Sequence, residues 1–154
     1  MECINIDFVG PYPDGGYVLV IIDCFTHWLE LFAVERATGE LAAFSLLQHF
    51  GRFGAPGQIR SDRGSHFVNS VIREFLTMIG TEHCLTLAYS KEENALVERA
   101  NKEVNCHLRA FTFDSKTVDN WCTSLPMVQR IMNATFSDRN KLSSAKTLFG
   151  NAIN

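Results

Sequence analysis

The chain has 154 residues, of which 46% are hydrophobic and 20% charged, and a formal net charge of −3. That length predicts one domain able to bury a core without staples, and the composition excludes a disordered tail, a collagenous repeat and a coiled coil. The acidic balance lacks the basic footprint of ordinary nucleic-acid binding, but it does not exclude an enzyme that meets phosphates through bound divalent metal.

Ile4, Ile6 and Phe8 alternate with Asn5 and Asp7, which predicts a strand beginning almost at Met1. The cluster from Gly10 to Gly16 reads as a turn. Tyr17 to Asp23 reads as a strand apolar on both faces, and Trp28 to Val34 as a third strand completing an antiparallel meander. Thr38 suits the N-cap of a helix with Ala43, Leu46, Leu47 and Phe50 inward and Gly51 at its end. Gln58 to Ser61 predicts a short fourth strand, broken by Asp62-Arg63-Gly64. A second helix starts near Asn69, with Val71, Ile72, Phe75, Leu76 and Ile79 inward and Gly80 after it.

Cys84 to Ala88 reads as a fifth strand and Ser90 to Asn94 as a polar loop. Val97, Ala100, Val104, Leu108 and Phe111 then form one helical stripe. A further helix carries Trp121, Leu125, Val128 and Met132, with Pro126 expected to kink or divide it. Leu148-Phe149-Gly150 closes a last short turn. The order predicts a mixed α/β sheet with helices on both faces. No apolar run is long enough to cross a membrane, and no secretory signal is visible, so the chain reads as not secreted.

The five cysteines, 3, 24, 84, 106 and 122, are odd in number and lack a C-x-x-C spacing. They predict scattered thiols in a reducing compartment rather than a disulfide framework or a zinc site.

Three acids fall at the ends or edges of elements: Asp7 in the first strand, Asp62 ending the fourth and Glu98 one turn into the long helix. If the first and fourth strands are neighbours, Asp7 and Asp62 converge and the helix brings Glu98 over them. Converging carboxylates without His or Cys favour Mg²⁺ or Mn²⁺, and two such ions could clamp an in-line displacement at a phosphodiester. Each acid also has a plainer reading. Asp62 serves equally as a turn residue, and Glu98 with Lys102 as a solvated i, i+4 pair. Asp23 competes as a ligand and reads as supporting or structural. Glu98, Lys102, Asn105 and Arg109 share a helical face opposite the apolar stripe, extended backwards by Asn94. That face suits phosphate contacts, or else is simply solvated.

The strings DFVGP from Asp7, YVLVIIDCFTHWLEL from Tyr17, GRFGAPGQIRSDRGSHFVN from Gly51 and AYSKEENALVERANKEVNCHLRA from Ala88 resemble the catalytic core of retroviral-type integrases. DNWCTSLPMVQRIMN from Asp119 and LFGNAIN from Leu148 extend the likeness over essentially the whole chain, and gypsy-type long-terminal-repeat retrotransposons are the nearest subclass. The resemblance implies a ribonuclease H-like fold, a mixed five-stranded sheet flanked by helices. It implies a DNA integrase that trims the 3′ ends of element DNA and joins them to target DNA by transesterification. It makes Asp7, Asp62 and Glu98 the metal ligands, for two Mg²⁺ or Mn²⁺ ions. It puts Ser65 at target DNA, Tyr89 and the stretch to Asn94 in a mobile active-site loop, and Lys102 at element-end DNA.

The same resemblance implies a homodimer or higher oligomer acting on element ends and target DNA, with no membrane partner. The expected location is the nucleus, after a cytoplasmic particle. Residues 1–154 read as a single core domain, with the family's zinc-binding N-terminal and DNA-binding C-terminal domains absent. Ser144 stands where the family's tail motif has proline, Cys106 where a basic residue is common, and the segment around Asp14 to Gly16 is slightly short. Two other readings stay open. One is a ribonuclease H-type nuclease, for which Glu40 would be the first-helix ligand. The other is a non-catalytic, host-recruited integrase relic acting as a dimerising module.

Overall fold

Strand β1 (Cys3–Val9) alternates, and its two faces meet different layers. The computed structural model describes residues 1–86, 91–115, 121–137 and 141–150, the side chains of 91–94, 112–115 and 137 apart. β1 pairs antiparallel with β2 (Tyr17–Asp23), and β2 with β3 (Leu29–Val34). On its other side β1 pairs parallel with β4 (Gln58–Ser61), and β4 with β5 (Glu82–Leu85). The five-stranded sheet therefore runs β3-β2-β1-β4-β5. The parallel pairs require crossovers, supplied by α1 (Gly39–Phe53) and α2 (Ser70–Ile79).

Both crossover helices are capped as the sequence predicts. The Thr38 side chain accepts from the Leu41 amide and that of Asn69 from the Ile72 amide, and Gly80 takes the left-handed conformation after α2. α1 and α2 cover one face of the sheet, where Ile4, Ile6, Leu19, Ile21 and Ile59 meet Ala42, Leu46, Phe50, Ile72 and Leu76. On the other face, Val18, Val20, Ile22, Leu29 and Leu31 pack under Ala100, Val104 and Leu108 of α3 (Lys91–Ser115). Trp121, Leu125 and Val128 of α4 (Trp121–Ala134) complete that layer. It rests on β2 and β3, so the same face of β1 carries Cys3, Asn5 and Asp7 beside Gln58 and Arg60 of β4. A two-residue ribbon, β6 (Phe136–Ser137) and β7 (Leu142–Ser143), leads into α5 (Ser144–Phe149).

Several boundaries differ from the sequence expectation. α1 continues through Gly51 to a cap at Gly54, and its buried stripe is rotated. Ala42, Leu46, His49 and Phe50 are inside while Phe44 and Leu47 face out. A polar anchor causes the rotation. Buried His49 places Nδ1 2.7 Å from Glu30 Oε2 on β3, and Arg52 donates to the same oxygen at 2.8 Å. Likewise Val71 is exposed on α2 while Ile72 and Leu76 are buried. The expected loop at 91–94 is helical from Lys91 onward. Lys, Glu, Glu and Asn include no helix breaker, and acidic residues in a first turn favour the helix dipole. α4 stays continuous through Pro126, because buried Leu125 and Val128 on either side hold the turn that has lost a hydrogen bond. β5 lies two residues earlier than expected, and positions 87 and 88 lie outside the described residues.

The rotated stripe separates two adjacent leucines. Leu46 is 0% exposed and Leu47 55%. Leu46→Ala is expected to destabilise by about 2–5 kcal/mol and Leu47→Ala by less than about 0.5 kcal/mol, measured by urea unfolding. Equal losses would restore the expected stripe.

Candidate active site

Asn5 of β1 stands opposite Arg60 of β4 in a parallel register. Two residues further along come Asp7, still in β1, and Asp62, just past the end of β4, from neighbouring strands ~4.8 Å apart. Glu98 enters from α3. All three acids line one cavity of about 200 Å³, with Asn5, Arg60 and Thr86 among its other walls.

Asp7 is half-buried. Its Oδ1 accepts from the Phe8 amide at 2.8 Å and its Oδ2 from Asn101 Nδ2 at 2.7 Å. Burial holds its carboxyl above the ordinary carboxylate range. The two hydrogen bonds pull the other way, and the charge of Asp62 adds to the rise. Asp62 is exposed, and its Oδ1 accepts from the Gly64 amide at 2.9 Å, so it is also the turn residue of the plainer reading. His66 Nε2 stands 3.8 Å from that oxygen, an ion pair only when the ring is protonated. A Cβ at Gly64 would sit 2.5 Å from the His66 ring, so a larger residue here would push that ring aside.

The donor set is all oxygen, which fits a hard divalent cation. Among the described residues no three His, Cys, Asp or Glu side chains are close enough to enclose one ion, so the carboxylates line the cavity without closing on a single point. Asp23 lies elsewhere. It is buried, and its Oδ2 accepts from the amide and hydroxyl of Thr26 at 2.7 and 2.6 Å, pinning the β2–β3 turn.

Along α3, Lys102 and Arg109 are exposed and Asn105 is half-buried, accepting from the Tyr12 hydroxyl at 3.0 Å. A second cavity, of about 580 Å³, follows this face, lined by Tyr12, Asn101, Asn105, Arg109 and Trp121 among others. Tyr12 stacks on Trp121 at 4.4 Å, and Trp121 Nε1 donates to Asp14 Oδ2 at 2.8 Å, which ties the β1–β2 turn to α4. Burial pushes the Tyr12 phenol up to about 12, so it stays a donor. Ser65 is exposed in the segment between β4 and α2, outside the walls of the first cavity. Tyr89 and the side chain of Asn94 lie outside the described residues.

Sequence reasoning missed Asn101 and His66. Asn101 had a signal, since it lies three residues after Glu98 and therefore on the same helical flank. The contact of His66 is made only by the fold of the turn. Among the described residues no helix is long and apolar enough to cross a membrane.

Residues 1–91 match the family model described as the integrase core domain. Over 113 residues, 73% of the chain, it is 33% identical to the Gag-Pol polyprotein of feline leukemia virus. Over 119 residues, 75% of the chain, it is 34% identical to that of baboon endogenous virus (strain M7). Over 112 residues, 72% of the chain, it is 32% identical to the Pol polyprotein of radiation murine leukemia virus (strain Kaplan). The matches span 6%, 7% and 19% of those polyproteins' lengths.

In fold, the chain is similar to the HTLV-2 integrase catalytic core domain in complex with magnesium, trimeric form. The TM-score is 0.81 at 17% identity, covering 95% of each chain. It is also similar to a chain of the simian T-cell lymphotropic virus intasome in complex with PP2A regulatory subunit B56 gamma. There the TM-score is 0.87 at 18% identity, covering 99% of this chain and 56% of that one. The mixed five-stranded sheet flanked by helices is thus the ribonuclease H-like fold of integrase cores.

Burial raises the pKa of Asp7 in the folded state, so folded protein binds more protons than unfolded above the ordinary carboxylate pKa of about 3.9. Stability therefore falls as pH rises through that window. Asp7→Asn removes the charge. The new amide can donate to Asn101 Oδ1, a buried atom without a partner among the described residues, once Asn101 turns its own amide. The variant is expected to melt above wild type at pH 7 in chelator, with the gap closing below about pH 4. A gap that widens in acid would reverse the assignment.

Proposed function

The chain belongs to the integrase core domain family, and from that premise we propose that it is a DNA integrase core, a metal-dependent polynucleotidyl transferase acting on the 3′ ends of element DNA and on target DNA. The observation that carries this reading is the single cavity lined by Asp7, Asp62 and Glu98. We assign those three as the ligands of two Mg²⁺ or Mn²⁺ ions. Bound there, such ions would polarise the scissile phosphate and make water, or a DNA 3′ hydroxyl, a better nucleophile.

The remaining work falls to the chain's own side chains. Asn101 holds Asp7 Oδ2 and fixes the carboxylate's orientation. Lys102, exposed one turn beyond Glu98, meets DNA phosphate, and Asn105 and Arg109 continue the track along the larger cavity. Ser65 contacts target DNA from the exposed turn, and Tyr89 and Asn94 complete the DNA contacts. The domain is a unit of 1–154 that works as a dimer or larger assembly in the nucleus. Its descent is from gypsy-type long-terminal-repeat elements, which rests on the sequence strings alone.

A ribonuclease H-type nuclease would use Glu40. That residue is exposed in the first turn of α1 and is not among the residues lining the cavity.

A branched oligonucleotide that presents the reacting groups already positioned removes the need for synapsed ends. With Mn²⁺ or Mg²⁺, wild type is expected to resolve it. Asp62→Asn and Glu98→Gln are expected to lose at least about 100-fold in rate, and Glu40→Gln to keep it. Loss at Glu40 instead would favour the nuclease, and silence from folded, metal-loaded wild type would favour the relic. Lys102→Ala is expected to lower the log–log salt slope of DNA binding by about one unit. An unchanged slope would leave Lys102 on a merely solvated face.

A further inference from the structure

Cys3 and Cys24 are 21 residues apart in sequence and directly opposed in space. Ile4 pairs with Asp23 in the β1–β2 register, so the next rung holds these two cysteines. The Cys24 amide donates to the Cys3 carbonyl at 3.0 Å, which extends the ladder to that rung. Residues opposed in a hydrogen-bonded antiparallel pair have Cα atoms about 5.5 Å apart, inside the window that a disulfide spans. Their side chains share a face, and Cys24 Sγ donates to Cys3 Sγ at 3.4 Å. Both are free thiols, half-buried, and both line a cavity of about 500 Å³ with Asp23, Phe25 and Leu148 among its walls.

We propose that Cys3 and Cys24 form a redox-active dithiol site that closes to an intrachain disulfide with small-molecule disulfides of the glutathione type. The first attack falls to Cys3. Burial, with the Cys3 thiol against it, pushes the Cys24 thiol up to about 12, so Cys24 keeps its proton at neutral pH. Cys3, its proton released to solvent and its sulfur accepting that S–H, attacks one sulfur of glutathione disulfide, breaks its S–S bond and expels one glutathione thiolate, which takes a proton from solvent. Cys24 then gives its proton to solvent and attacks the Cys3 sulfur of the mixed disulfide, expelling the second thiolate. Two protein thiols are oxidised and one glutathione disulfide is reduced to two glutathiones.

The site is selective by geometry. Cys84 lies opposite Arg60, with β4 between it and β1, so about two strand spacings separate it from Cys3. Cys106 and Cys122 are exposed on α3 and α4.

The test incubates the full chain in graded mixtures of reduced and oxidised glutathione, traps it with acid and N-ethylmaleimide, and maps peptides by mass. The expected product carries two fewer N-ethylmaleimide groups than the fully reduced chain, with Cys3 and Cys24 joined within one chain and Cys84 still alkylated. Cross-linking that ring is expected to raise Tm by roughly 5–10 °C. Cys3→Ser and Cys24→Ser should each abolish the bond and the Tm shift, while Cys84→Ser keeps both. Should a serine variant not fold, the wild-type peptide map still decides. Cys3 and Cys24 remaining alkylatable in folded wild type at excess oxidised glutathione would overturn the proposal. So would a product dominated by interchain bonds through Cys106 or Cys122.

Discussion

β1 buries Ile4 and Ile6 beneath α1 and α2 and turns Asp7 toward a face that the second helical layer covers only in part. The carboxylate is consequently drawn out of water beside Asp62, a like charge, and burial raises its pKa. A lone buried charge is expensive. Here the backbone amide of Phe8 and the side chain of Asn101 offset part of that cost and fix the carboxylate in one orientation. A divalent cation would offset the rest, so the desolvation that weakens the bare site is the same feature that would favour metal there.

The parallel pairing of β1 with β4 is what makes the two aspartates neighbours. That pairing needs a crossover, and α1 provides it, anchored to β3 by the buried Glu30–His49 contact with Arg52 closing it from outside. Leaving either buried partner of such a contact unpaired would cost its desolvation, so the pairing favours one arrangement. Here it sets which face of α1 meets the sheet. α3 completes the constellation with one stripe in the core and the other carrying Glu98, Asn101 and Lys102, so the helix that roofs the sheet also delivers the third carboxylate.

The two cavities are joined through Asn101, which lines the larger one and donates to the acid of the smaller. In the proposed function, a strand of DNA lies along α3 from Arg109 and Asn105 toward the carboxylates. The Tyr12–Trp121 stack and the Trp121–Asp14 hydrogen bond hold the β1–β2 turn as one wall of the larger cavity.

Much of this was legible in the chain itself. Period-two alternation marked β1 and put Asp7 on a face of its own. Helix caps at Thr38 and Asn69 and the glycine after α2 marked the crossovers, and the stripe from Val97 to Phe111 marked the face of α3 turned from Glu98. These are local signals, because each depends on residues within one or two turns. The rotation of α1 and the continuity of α4 through Pro126 were not legible. Each is decided by a partner distant in sequence, such as Glu30 for His49 or the sheet beneath Leu125 and Val128. Strand register is the sharpest case. Spacing alone read Cys3 and Cys24 as scattered thiols and could not pair Asn101 with Asp7. Only the β1–β2 ladder and the docking of α3 on the sheet bring those atoms together, since contacts between distant segments are set by which surfaces can be buried at once.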